Sequence, residues 1–225
     1  MKIALTMRLQ TNPNNGEIQD AISHEWIDHL NKQKNTSIIL LSSLSNNISR
    51  ILKQNMPDLI IFTGGQDLID EPKNAEEKTL SIRDKFEKKL LSTAIKMRIP
   101  CIGVCRGAEL IFTYLGGKLV PANKNIHAGK SHKVFLSDTA PAFFTRAMLV
   151  NSFHKWAIPL GSAAKIIPFA ISEDGLIEAF YHNKMLLMGI MWHPERKFDR
   201  SSERKMHSHN FYSNIIKFFK NRRRS

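Results

Sequence analysis

The sequence predicts an α/β fold, an open and mostly parallel sheet flanked by helices, with a β-rich second half. Three observations predict it. Through residue 117, short apolar runs alternate with segments whose apolar residues recur at helical spacing. Two of those runs end in glycine-rich turns, TGG at 63–65 and the G-x-C-x-G of Gly103 to Gly107. From 118 to 191, strand-like pieces follow one another without helical periodicity.

The elements follow in order. KIALTM (2–7) reads as a buried strand. AISHEWIDHLNKQ (21–33) carries Ile22, Trp26, Ile27 and Leu30 at helical spacing. TSIILLS (36–42) is apolar and β-branched, hence a strand, and ISRILKQN is a short helix. DLIIFTGG (58–65) is a strand that stops on two glycines. EEKTLSIRDKFEKKLLSTAIKMR (76–98) sets Ile82, Phe86, Leu90 and Ala94 in i, i+4 steps, and Pro100 ends it. CIGV is the next strand, and RGAELIFTYLG (106–116) is a helix closed by Gly116 and Gly117. KLVPA, HKVFL, AMLVN, AAKIIPFAIS, LIEAFY and MLLMGIM form a β-rich excursion that returns to the main sheet. A final helix over about 203–220 presents Met206, Phe211, Ile215, Phe218 and Phe219. No linker divides the chain, so a single domain over 1–225 is expected.

Composition narrows the function. The chain is 42% hydrophobic and 24% charged, enough to bury a core without disulfide or metal staples. No apolar run reaches the roughly 18 residues of a membrane span, and MKIALTMRLQ is too short in apolar residues for a signal peptide. Two cysteines make no disulfide framework, which points to the cytoplasm and leaves a thiol free for chemistry. Of the net charge of +13, +8 lies between Arg196 and Ser225, so KFFKNRRRS (217–225) reads as a basic, frayed tail. Without zinc-ligand spacing, a Walker loop or an aromatic RNA motif, no metal, cofactor or nucleic-acid partner is expected.

The chemistry centres on CIGVCRGAEL. Cys105 follows a strand and opens a helix, the place where open α/β sheets collect ligands. The glycines at 103 and 107 make the turn a thiol version of the G-x-S-x-G nucleophile elbow, whose tight backbone approach needs small neighbours. A helix N-terminus offers free N–H groups and partial positive charge, which favour thiolate. Cys101, at the strand's start, reads as core packing. MGIMWHPE supplies a base: His193 at a strand end, Pro194 fixing the backbone, and Glu195 able to set the imidazole tautomer. TGGQD at the same sheet edge offers a backbone N–H for an oxyanion, with Arg106 N–H as a second donor.

Six segments together resemble the flavodoxin-like class I glutamine amidotransferase fold, and within it the γ-glutamyl hydrolase branch, peptidase C26. They are TGGQD, RDKFEKKLL (83–91), GVCRGAELI, VNSFHKWAI (150–158), EDGLIEAF (173–180) and GIMWHPE, in that order along nearly the whole chain. The resemblance implies a Cys105–His193–Glu195 triad that cleaves a γ-glutamyl amide through a glutamyl thioester. It also implies an oxyanion hole from the Gly65 and Arg106 N–H groups, and substrate contacts at Glu109, Asn151, Ser152, Phe153 and His154. No cofactor is implied. The substrate is a small γ-glutamyl compound, and a γ-glutamyl-CDP-amidate would use basic residues such as Lys124, Lys130 or Lys155. Glu109 stands where the family usually has Gln, Met191 replaces a common Gln, Thr63 a frequent Pro, and Lys155–Trp156 the usual His or Gln. The alternative reading is a glutaminase subunit serving a separate synthetase. A non-catalytic binding module is a third, and a homodimer is compatible with each.

Overall fold

The structure, a computed structural model, describes residues 1–68, 73, 75–144, 147–162, 164–196 and 210–222. Strand β1 (Lys2–Thr6) leads to a hairpin of β2 (Arg8–Thr11) and β3 (Ile18–Ala21), then α1 (His24–Asn31), β4 (Ser37–Leu41), α2 (Ile48–Asn55) and β5 (Leu59–Phe62). Helix α3 (Ala75–Lys96), β6 (Cys101–Val104) and α4 (Arg106–Tyr114) complete the first half. The second half holds β7 (Val120–Pro121), α5 (Lys124–His127), β8 (Ala128–Leu136), β9 (Ala147–Phe153), β10 (Trp156–Pro159), β11 (Ile166–Ser172), β12 (Leu176–His182) and β13 (Leu187–Ile190). Helix α6 (Phe211–Arg222) closes the described chain.

The main sheet runs in the order β4, β1, β5, β6, β13, β12, β11, β8, β9, with β10 on β12 and β7 on β10. The first five are parallel and the rest antiparallel. The expected return of the chain is β13, which lies beside β6 with Ile190 opposite Val104.

Strand alternation assigns the two cores. Ile3, Leu5, Ile61, Ile102 and Val104 face α1 and α6, where Trp26, Leu30, Tyr212, Ile215 and Phe219 pack. Ala4, Ile60, Phe62 and Cys101 face the other way, onto Phe86, Leu90, Ala94, Ile111 and Phe112. Cys101 is therefore the packing residue that its place at a strand start predicts.

Two expectations need correction, and one element had no counterpart in the sequence reading. The helix expected over 21–33 begins only at His24, because Ser23 caps it by accepting from the Glu25 N–H at 3.3 Å and Ala21 pairs in β3. The hairpin β2–β3 leaves no apolar pattern in the sequence, since its residues are largely polar and exposed; its turn closes through Gly16 N–H to Asn12 O at 2.9 Å. Residues 217–222, expected to fray, instead finish α6: Phe219 is buried, and Arg222 donates to Asn183 O at 2.7 Å over the Tyr181 ring. Residues 203–209 and 223–225 lie outside the described residues. Among the described residues, no helix is long and apolar enough to cross a membrane.

Candidate active site

The sheet brings the ends of β5, β6 and β13 side by side, with Phe62 opposite Gly103 and Val104 opposite Ile190. The next residues along each chain are Thr63–Gly64–Gly65, Cys105 and Met191–Trp192–His193. Cys105 N–H donates to Ile190 O at 2.8 Å, so the elbow is tied to the strand that carries the histidine.

Cys105 sits at φ 52° and ψ −112°, a backbone position that costs an L-residue on the order of 1–3 kcal/mol. The flanking glycines permit it. A Cβ on Gly103 would lie 2.1 Å from Gly107 O, and one on Gly107 would lie 2.0 Å from Phe62 O. Helix α4 is thus pressed onto β5 and β6 at distances that admit no side chain. The thiol is 6% exposed, and its acidity departs from the sequence expectation. Burial pushes the Cys105 thiol up, the Glu109 carboxylate pushes it further, and the Arg106 N–H only partly offsets them. The helix terminus is outweighed by desolvation, which favours the neutral thiol.

His193 and Glu195 meet as their spacing suggests. Nδ1 of His193 lies 2.7 Å from Glu195 Oε1, both residues buried. With Nδ1–H donated to the carboxylate, Nε2 is the free nitrogen. The ring rests on Gly64, where a Cβ would lie 2.7 Å from Cε1. Asn151 clamps the histidine backbone from both sides: His193 N–H donates to Oδ1 at 2.8 Å, and Nδ2 donates to His193 O at 2.9 Å. The resemblance puts Asn151 against substrate; in the structure both ends of its amide bond the His193 backbone. A small cleft of about 40 Å³ beside the ring is lined by Arg8, Gly64, Gly65, His193, Glu195 and Arg196; Cys105 is not among its walls.

The other expected contact residues divide by strand alternation. Phe153, on the Asn151 face of β9, sets its ring edge-on to His193 at 5.8 Å and carries the Arg196 guanidinium at 4.5 Å. Ser152 points the other way, donating to His127 O at 3.1 Å. His154 is buried with it; its Nδ1 bonds Trp156 O at 2.8 Å. Glu109 is buried too, not a solvated helix residue. Burial raises its carboxyl to about 7, although His154 and Arg106 pull the other way. Lys155 is exposed and pairs with Asp67 of the glycine loop at 3.3 Å.

Two groups escape a reading of the sequence alone. Arg106 follows Cys105, and its side chain runs inward to pair with Asp84 and Glu87 of α3. Arg83 bonds Glu87 at 2.9 Å and donates to Thr63 O at 2.8 Å and Gly64 O at 3.2 Å. One buried network therefore joins the elbow to the glycine loop, and burial of the Glu87 carboxyl is outweighed by Arg106 and Arg83, which hold it low. The signal is an Arg–Glu pair at i, i+4 inside an otherwise apolar helix face. The second group is His127, His132, His154 and Glu178. Burial pushes the Glu178 carboxyl up, but His132 and His154 outweigh it and hold it at about 2.

The model of the Peptidase C26 family matches residues 3–195. The chain belongs to that family. This C26 chain is 32% identical over 198 residues to the gamma-glutamyl-CDP-amidate hydrolase of Campylobacter jejuni, covering 88% of its own length and 91% of the relative's. It is 29% identical over 156 residues to a glutamine-hydrolyzing GMP synthase subunit of Methanococcus vannielii, covering 67% and 71%. A candidate GMP synthase subunit of Thermoplasma acidophilum superposes with a TM-score of 0.69 at 18% identity, over 100% of this C26 chain and 96% of that one. The fold is that of the class I glutamine amidotransferases, and the family is one of γ-glutamyl amide hydrolases and amidotransferase-like proteins.

Proposed function

We propose that the chain hydrolyses a γ-glutamyl amide whose leaving group carries phosphate, with Cys105 as nucleophile, His193 as base and acid, and Glu195 orienting the imidazole. The observation that carries this reading is the elbow. A thiol is held at a strained backbone position on the sheet edge where the His193–Glu195 pair also stands.

The steps balance as acyl transfer. Sulfur bonds the amide carbon while the thiol proton passes to His193 Nε2. The C–N bond then breaks as that proton moves to the leaving nitrogen, giving a thioester. Water, deprotonated by the same nitrogen, releases glutamate and restores the thiol. The Arg106 N–H, which lies against the sulfur, and the Gly65 N–H are the proposed oxyanion donors; one such donor is typically worth about 100- to 1,000-fold in rate. Burial favours the neutral Cys105 thiol, which supports a role for His193 as base.

The leaving-group preference rests on charge. Arg8 and Arg196 line the cleft beside His193, and Lys155 stands at the glycine loop. Guanidinium forks suit phosphate oxygens. The Campylobacter jejuni relative, named for a CDP-amidate, agrees with that preference.

The test is intact-protein mass spectrometry after brief exposure to neutral and phosphate-bearing γ-glutamyl amides, paired with turnover. A glutamyl adduct that disappears in Cys105→Ala, and faster cleavage of the phosphate-bearing amides, are expected. Equal turnover of both classes removes the phosphate preference. Activity surviving in Cys105→Ala removes the cysteine mechanism. Release of ammonia from glutamine only with an added synthetase would establish the glutaminase reading instead.

A further inference from the structure

We propose that His127, His132 and Glu178, with His154 beside them, form a binding site for a transition-metal dication, zinc being the best match. The donors come from the end of α5, from β8 and β12 and from the residue after β9, and the site stands independently of the hydrolase reading.

The distances are the first argument. Glu178 Oε1 lies 3.4 Å from His132 Nε2, 3.6 Å from His127 Nδ1 and 3.6 Å from His154 Nε2. Direct hydrogen bonds between such atoms run about 2.7–3.2 Å. A tetrahedral ion bound at about 2.0–2.1 Å sets neighbouring ligand atoms roughly 3.3–3.5 Å apart. The donor atoms of His127, His132 and Glu178 all lie within 4.8 Å of one another.

Proton placement is the second. His127 Nε2 lies 3.1 Å from Asp174 Oδ2, an acceptor, so that nitrogen carries the hydrogen and Nδ1 is left bare in the neutral ring. His154 Nδ1 donates to the Trp156 carbonyl, which leaves its Nε2 bare in the same way. In the neutral rings two lone pairs and a carboxylate oxygen then face one another, an arrangement resolved by a cation at the centre or by a proton on His154. Metal-bound histidines characteristically give their other N–H to a carboxylate or a backbone carbonyl, as these two do. Ser152 Oγ, 3.1 Å from His127 Nδ1, is the one further polar group at that ring among the described residues.

Satisfaction is the third. Both oxygens of Glu178, both nitrogens of His132 and Nε2 of His154 are buried without a hydrogen-bond partner among the described residues. Such groups are costly in a core unless something fills the space between them. Asp174, whose side chain is 23% exposed, gives the cluster an edge on solvent. In the sequence only His127 and His132 stand at a short ligand spacing, H-x4-H, and Glu178 and His154 join them from distant segments.

The test uses untagged Cys105→Ala protein, which removes the thiol that would otherwise compete for zinc beside His193. Cobalt chloride alone is titrated in and followed by visible absorption, and zinc chloride is followed by thermal unfolding. The expected result is the intense absorption of tetrahedral cobalt saturating at one ion per chain, bleached by zinc. Zinc at about 100 times its Kd should raise Tm by roughly 5–10 °C. His132→Ala and Glu178→Gln should lose both signals. Wild-type protein should also carry zinc by native mass spectrometry, a readout that does not depend on how the variants fold. No cobalt absorption together with a Tm indifferent to zinc overturns the proposal, and leaves an imidazolium as the cation. So does cobalt absorption that persists in a folded His132→Ala.

Discussion

Replacing Glu109 by Gln turns a buried carboxyl into its neutral isostere and tests what the elbow helix holds one turn beyond Cys105. The side chain is 3% exposed, and burial raises its pKa from the usual 4.5 to about 7. The unfolded chain gives up this proton near 4.5 while the folded chain keeps it to about 7. Between those values the native state binds more protons, so stability falls as pH rises. The loss is complete above 7. A shift of roughly 2.5 pH units corresponds to about 3 kcal/mol, net of the opposing pull of His154 and Arg106. Glu109→Gln has no proton to lose. Urea unfolding of both proteins at half-unit steps from pH 4.5 to 8 should show the variant near parity with the parent at the acid end. It should gain up to about 3 kcal/mol by pH 8. Parallel stability curves, with a difference constant across the range, would refute the buried, proton-holding carboxyl.

Two further perturbations follow from the same geometry. Gly107→Ala should destabilise by about 3 kcal/mol or more and abolish turnover, because the new methyl meets Phe62 O at 2.0 Å and backbone cannot yield cheaply. Helix propensity alone predicts a gain of about 0.5–1 kcal/mol, so an unchanged or higher Tm would sink the close-contact account. Glu87→Gln should cost about 3–5 kcal/mol, since it strands the buried Arg106 and Arg83 guanidiniums with half their negative charge removed. A chemical-denaturation midpoint within about 1 kcal/mol of the parent would show that Asp84 alone neutralises the pair.

Much of the site was legible because its parts are local. Gly103, Cys105 and Gly107 declare an elbow by spacing, and the backbone at Cys105 with its two forbidden Cβ positions is what that spacing implies. His193 and Glu195 lie two residues apart across a proline, so their 2.7 Å contact needs little from the rest of the chain. The thiol's acidity was not legible, because helix-terminus charge can be read from a turn but desolvation depends on everything packed over it. Arg8 escapes for a similar reason: it sits in a polar hairpin whose strands bury too little to leave an apolar pattern.

By itself, the sequence determined the succession of strands and helices, the elbow, and the histidine–carboxylate pair, since each depends on apolar periodicity or on residues within a few positions of one another. Only the tertiary structure decided that Asn151 grips the His193 backbone, that Arg106 turns inward to α3, and that three histidines close on Glu178. Those meetings are set by strand order and register between segments far apart in the chain. A shift of one residue in that pairing would send the strand-borne side chains among them to the opposite face.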